Sequence, residues 1–145
     1  METSRTLHST SMNTIYVTDR DYTRLAKLVK RLRLRESSAE LTTLTEELRR
    51  AVKVPSEEIA PTVVTMNSKV VLEDLRTGRE QQLTVVYPED ADMNEMKISI
   101  LSPSAIALLG SKVGDRVEWP APNGVANYVV TKIFFQPEAA RRYDL

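Results

Sequence analysis

Apolar residues in the first third of the chain recur with helical spacing, and beyond residue 60 the pattern changes to alternation. Tyr22, Leu25, Leu28/Val29 and Leu32 fall three or four positions apart, which places them on one face of an α-helix. Leu41, Leu44, Leu48 and Val52 repeat the pattern. Each stretch opens on a capping sequence, Thr18-Asp19-Arg20-Asp21 and Ser37-Ser38-Ala39-Glu40. A hydroxyl there accepts from unpaired N–H groups, and early carboxylates suit the positive helix end. Pro55 is expected to stop the second helix, since its ring removes a donor and clashes with the preceding turn. The short connection predicts an antiparallel αα-hairpin. The narrow stripes predict a coiled-coil seam, and about 15 residues per helix gives a reach of roughly 22 Å. A stubby finger is therefore expected over residues 15–54, between a flexible tail at 1–14 and a linker at 55–60.

Past the linker the runs Val63–Met66 and Lys69–Leu75 are rich in β-formers, and Arg76–Arg79 reads as a hairpin turn into the alternating Leu83, Val85 and Tyr87. An acidic loop from Pro88 to Glu95 precedes a strand at Lys97–Leu101. Ser102-Pro103 then opens a short helix, with Ser at the cap and Pro in the first turn, and Gly110 closes it. Strands at Arg116–Trp119 and Val125–Phe135 flank the turn Asn123-Gly124. The expected fold class is α+β, with residues 61–145 as a second domain built on an antiparallel sheet and one short helix. Its expected core is Val64, Leu72, Val85, Ile98, Ile100, Val117, Val130 and Ile133.

Charge and composition narrow the chemistry. The chain has 20 basic and 20 acidic residues, one His and no Cys. The zero net charge argues against a generic nucleic-acid or membrane-surface binder. The missing Cys and lone His exclude thiolate zinc sites, cysteine nucleophiles and serine–histidine triads. The polar N-terminus carries no apolar signal segment, so a cytoplasmic protein without a membrane role is expected. Charge is unevenly spread, however. Residues 19–35 carry seven bases against two acids, while residues 54–145 carry nine bases against thirteen acids. A basic helical segment is joined to an acidic body.

Several segments carry a resemblance. Lys97-Ile98-Ser99-Ile100-Leu101-Ser102-Pro103, Ala107-Leu108-Leu109-Gly110 and Val113-Gly114-Asp115 resemble the C-terminal domain signature of the Gre-type transcript cleavage factors. Val63–Ser68, Val85-Val86-Tyr87-Pro88, Trp119–Gly124 and Gln136–Ala140 narrow this, and together the segments resemble the Rnk family, the regulators of nucleoside diphosphate kinase. The resemblance implies a short coiled-coil finger followed by a domain of FKBP-like topology. It also implies binding to bacterial RNA polymerase, with the globular domain on the rim of the secondary channel and the finger pointing toward the active site.

In Gre relatives acidic residues at the finger tip help to hold a catalytic magnesium ion, and a hard cation needs oxygen ligands. This chain departs from that pattern. Its tip carries Arg31, Arg33 and Arg35 against Glu36 and Glu40, so no stimulation of transcript cleavage is expected. The tip candidates are accordingly Arg31, Arg33, Arg35 and Glu36. Ser102 and Pro103 have two readings, as a helix cap and as polymerase-docking residues.

Other groups read as bland. The carboxylates of Glu89–Glu95 form a solvated loop without EF-hand spacing. His8 lies in the tail with no partner pattern, and Gly110-Ser111-Lys112 lacks the glycine spacing of a phosphate loop. The basic helix reads as a solvated face, with DNA contact expected only within a polymerase complex. No catalytic residue, metal or cofactor is expected. The leading expectation is a non-enzymatic, monomeric regulator that competes with cleavage factors for polymerase. An FKBP-like prolyl isomerase and a dimerising adaptor are the alternatives.

Overall fold

A computed structural model describes residues 14–145; His8 and the rest of the expected tail before Thr14 lie outside the described residues. Strand β1 (Tyr16–Thr18) runs directly into helix α1 (Asp19–Arg33). The Thr18 hydroxyl accepts from the Asp21 N–H at 3.0 Å, satisfying one of the donors that a helix start leaves free. The helix ends on two main-chain bonds, from Arg35 and Glu36 N–H to the Leu32 carbonyl at 2.9 and 3.0 Å. Ser38 caps helix α2 (Ala39–Arg50) by accepting from Leu41 N–H at 3.1 Å.

The end of α2 corrects the sequence reading. Val52 was expected on the helical stripe, with Pro55 as the stop. Instead the chain turns extended at Ala51, and Val52–Val54 forms strand β2. It lies parallel to β1, Tyr16 opposite Val52 and Thr18 opposite Val54. Pairing with a segment 36 positions earlier overrides helical spacing, and Val52 is left 43% exposed.

Residues 61–137 hold strands β3 (Lys69–Asp74), β4 (Glu80–Val86), β5 (Lys97–Ser99), β6 (Arg116–Ala121) and β7 (Gly124–Phe135), with helix α3 (Pro103–Leu108) between β5 and β6. They form one curled sheet in the order β5-β4-β3-β7-β6. The expectation of a wholly antiparallel sheet needs correction at one edge. β3, β4, β6 and β7 are antiparallel, but β5 runs parallel to β4. Two short helical turns, Pro88–Asp90 and Met93–Glu95, carry the chain back across to make this possible. The run Val63–Met66 is buried but forms no strand beyond a single bridge from Val63 to Lys112.

Packing joins the two parts. Leu25, Leu28 and Val29 of α1 and Leu41, Leu44 and Leu48 of α2 belong to the same buried cluster as Val70, Leu72, Val85, Leu108 and Val130. Of the expected core positions, all are buried except Ile133, which is half-buried. Each fully buried Leu contributes roughly 2 kcal/mol relative to an exposed one. Among the described residues no helix is long and apolar enough to cross a membrane.

Candidate functional site

Three features have chemistry beyond packing, and all involve the helical pair. The first is its junction with the sheet. Asp21 is three residues past the Thr18 cap and shares a helix face with Leu25 and Leu28, so its carboxylate is drawn under the helix and is 2% exposed. One oxygen accepts from the Met66 N–H at 3.0 Å and the other from the Tyr87 hydroxyl at 3.3 Å. Burial pushes the Asp21 carboxyl up to about 6 against these two stabilising bonds, with Glu138 adding to the rise. Burial and the adjacent Asp21 likewise raise the Tyr87 hydroxyl above its ordinary range. The Arg24 guanidinium lies 4.1 Å over the Tyr87 ring, a cation–π contact. Its Nη1 is buried without a hydrogen-bond partner.

The segment that receives Asp21 is itself held from the C-terminal side. Gln136 is 4% exposed; its Nε2 donates to the Ala60 and Val63 carbonyls, each at 2.8 Å. The Thr65 hydroxyl donates to Glu138 Oε1 at 2.7 Å. The Gln136-Pro137-Glu138 run thus fixes the loop whose Met66 N–H meets the helix.

The second feature is the tip. Arg31, Arg33, Leu34, Arg35 and Glu36 are all exposed, and Leu34 reaches 84%. The three arginines form no ion pair among the described residues. Guanidiniums in such numbers repel a divalent cation, so the donor set does not fit magnesium.

The third feature is a groove of about 270 Å³ between the start of α2, helix α3 and strand β6. Pro103, Ile106, Val117 and Trp119 supply apolar lining, Glu40, Glu47, Asp115 and Glu118 supply carboxylates, and Arg116 supplies one guanidinium. Trp119 is held flat on Tyr128, ring centroids 4.9 Å apart and planes 4° from parallel. Glu47 pairs with Arg50 at 2.8 Å, and burial raises its carboxyl above the ordinary value. Glu40 and Glu118 have no ion-pair partner among the described residues.

The sequence-predicted residues therefore fall in two places. Pro103 lines the groove, and Ser102 stands beside it, its hydroxyl donating to the Ser99 carbonyl at 2.8 Å while accepting from Ala105 N–H at 3.4 Å. Arg31, Arg33, Arg35 and Glu36 stay at the exposed tip. Sequence reasoning missed the Asp21–Tyr87 junction and the groove carboxylates. It also assigned the basic helix to solvent, whereas Arg24 is packed on Tyr87. The available signal was Asp21 itself, one turn before Leu25 on the apolar stripe.

Two family models divide the chain where the helical pair meets the sheet. One, "Rnk N-terminus", matches residues 13–54; the other, "Transcription elongation factor, GreA/GreB, C-term", matches residues 59–134. The "Regulator of nucleoside diphosphate kinase" of Escherichia coli (strain K12) is 41% identical over 103 residues, 70% of this chain and 76% of that protein. The chain belongs to the Rnk family. Its sheet half is shared more widely. "Transcription elongation factor GreA" of Alkaliphilus oremlandii (strain OhILAs) is 43% identical over 86 residues, 59% of this chain and 54% of the elongation factor. Among solved structures, "Prokaryotic transcription elongation factor GreA/GreB from Nitrosomonas europaea" superposes with a TM-score of 0.72 at 40% identity, covering 85% of this chain and 99% of the other. A Rnk-family chain with this fold carries the GreA/GreB-type sheet behind a helical pair of its own class.

Proposed function

We propose that this Rnk-family chain is a non-enzymatic transcription regulator that binds bacterial RNA polymerase near the secondary channel and competes there with Gre-type factors. The observation that carries the reading is the exposed basic tip on a GreA/GreB-like body. The body supplies affinity through Ser102, Pro103 and their surroundings. Arg31, Arg33, Arg35 and Glu36 face the acidic walls of the channel, where opposite charge favours encounter and register. The tip brings no carboxylate set, so occupancy is the whole mechanism and transcript cleavage is not stimulated.

In this reading the helical pair over residues 15–54 is a short coiled coil, residues 55–60 are its linker, and residues 61–145 form a domain of FKBP-like topology. DNA is met only inside the polymerase complex. The protein acts in the cytoplasm, and an effect on nucleoside diphosphate kinase levels follows indirectly through transcription. The test is co-elution with core RNA polymerase, alone and challenged with a cleavage factor, followed by a cleavage assay on backtracked complexes. Binding that the cleavage factor displaces, without faster cleavage, is the expected result. Absence of binding removes the reading, and accelerated cleavage removes its mechanism.

A further inference from the structure

The tip and the groove are complementary, yet within one chain they do not meet. Leu34 is 84% exposed, a large apolar side chain flanked by two guanidiniums, Arg33 and Arg35, that pair with no carboxylate among the described residues. The groove offers a largely inverse arrangement: an apolar floor that includes Trp119 and Ile106, lined by the carboxylates Glu40, Glu47, Asp115 and Glu118 against one guanidinium, Arg116. Glu40 and Glu118 are in no ion pair among the described residues. Arg33 and Leu34 lie beside Thr45, Leu48 and Arg49 of α2, across that helix from Glu40, Thr43 and Glu47 of the groove, so a tip enters a groove only in another copy.

We propose that a second copy of this chain seats Leu34 in the groove, with Arg33 and Arg35 against Glu40 and Glu118. Paired about a two-fold axis, each tip enters the other chain's groove. The contact closes on itself as an isologous dimer and does not run on into a fibre. Apolar burial of Leu34 supplies the attraction, since shielding an isobutyl group from water is favourable wherever it occurs. The charges set which groove the tip enters and the orientation in which it sits. The patch is small, so the dimer is a weak one, formed as concentration rises. It also covers Pro103, which makes dimerisation and the polymerase docking proposed above mutually exclusive.

The test is sedimentation equilibrium on the isolated protein and needs no polymerase, so it stands or falls separately from the functional reading. From about 1 to about 500 μM, mass moves from monomer toward dimer, and raising salt from about 0.05 to about 0.5 M weakens association by screening the charge pairs. Leu34→Asp weakens association at least about tenfold, while its circular dichroism and thermal unfolding match the parent because the side chain is exposed. The deciding arm uses two charge variants, R33E/R35E and E40R/E118R. Each alone is monomeric, since tip and groove then carry like charge. Mixed in equal amounts they form a heterodimer in which both contacts regain opposite charges. Monomeric wild type at the highest concentration, undiminished association of Leu34→Asp, or a mixture that stays monomeric overturns the proposal.

Discussion

The Asp21 carboxylate accepts a hydrogen bond from the Met66 N–H at 3.0 Å, joining positions 45 residues apart. It is a buried polar link between the helical pair and the sheet, placed beside the apolar seam of Leu25 and Leu28. A buried carboxylate at such a seam is costly in its charged form unless its lone pairs are satisfied, and Tyr87 takes the second oxygen.

This arrangement predicts a pH dependence of stability with a definite sign. The folded-state pKa of about 6 lies above the ordinary 3.8. Between about 4 and about 6 the native chain therefore holds a proton that the unfolded chain has released, and stability falls as pH rises through that window. Above it the cost of the buried charge, about 3 kcal/mol, is fully present. Asp21→Asn keeps an acceptor for Met66 and removes the charge. Urea unfolding of both proteins at several pH values is expected to show the variant gaining on the parent from pH 4 to pH 6, then holding a constant difference. A difference independent of pH would show that the carboxyl titrates normally. Asp21→Ala, by contrast, leaves two buried donors unpaired and loses about 1–3 kcal/mol for each.

Helical spacing alone ranks Leu44 and Val52 alike, but their surroundings differ. Leu44 is fully buried whereas Val52 is 43% exposed on a two-stranded edge. Leu44→Ala is expected to cost about 2–5 kcal/mol through the cavity it leaves. Val52→Ala is expected to cost less than about 1 kcal/mol. Equal losses in chemical denaturation would mean that α2 continues through Val52.

Gly110 follows α3 with φ of +81°, and a Cβ placed there would lie 2.6 Å from Ile15 Cβ. Gly110→Ala thus combines a left-handed backbone with a clash against Ile15, just before the strand that leads into α1, and a loss of several kcal/mol is expected. Ile15→Ala in the same chain gives no rescue, because the clashing atom is the Cβ that alanine retains. Thermal unfolding of the single and double variants checks both statements.

Charge reversal at Arg31, Arg33 and Arg35 together is expected to weaken polymerase binding at least about tenfold while leaving the unfolding midpoint within a few degrees of the parent. Ser102 separates its two roles differently. Ser102→Asn preserves an N-cap acceptor and so stability, whereas Ser102→Ala loses about 1 kcal/mol. A drop in polymerase affinity for Ser102→Asn marks a docking residue; unchanged affinity marks a cap and nothing more.

Local chemistry was legible in the sequence, and long-range pairing was not. Thr18 and Ser102 cap the helices that follow them, because a cap bond spans three residues and leaves a compact signature. At α2 the cap falls on Ser38, one residue after the Ser37 that the box Ser37-Ser38-Ala39-Glu40 implies. The helical stripe and the alternation in β4 came through for the same reason. By contrast β1 and β2 are three residues each, and their parallel pairing gives no periodicity to read. The strand at Lys97 was expected but its parallel direction was not, because that direction depends on two short helical turns inside an acidic loop. At the site, the tip arginines could be named from sequence, but the groove could not. Glu40 and Glu118 are 78 positions apart, and only the packing of α2 beside β6 and α3 brings them to one wall.

The parallel ladder between Tyr16–Thr18 and Val52–Val54 has an evolutionary consequence. A chain that leaves for the helices and returns from them through one ladder carries those helices as an insertion whose two ends are tied side by side. Matched additions of seven residues to both helices would lengthen the projection by roughly 10 Å without disturbing the ladder. Projection length can therefore change independently of the sheet: one body can carry short or long helical pairs, each closed by the same ladder.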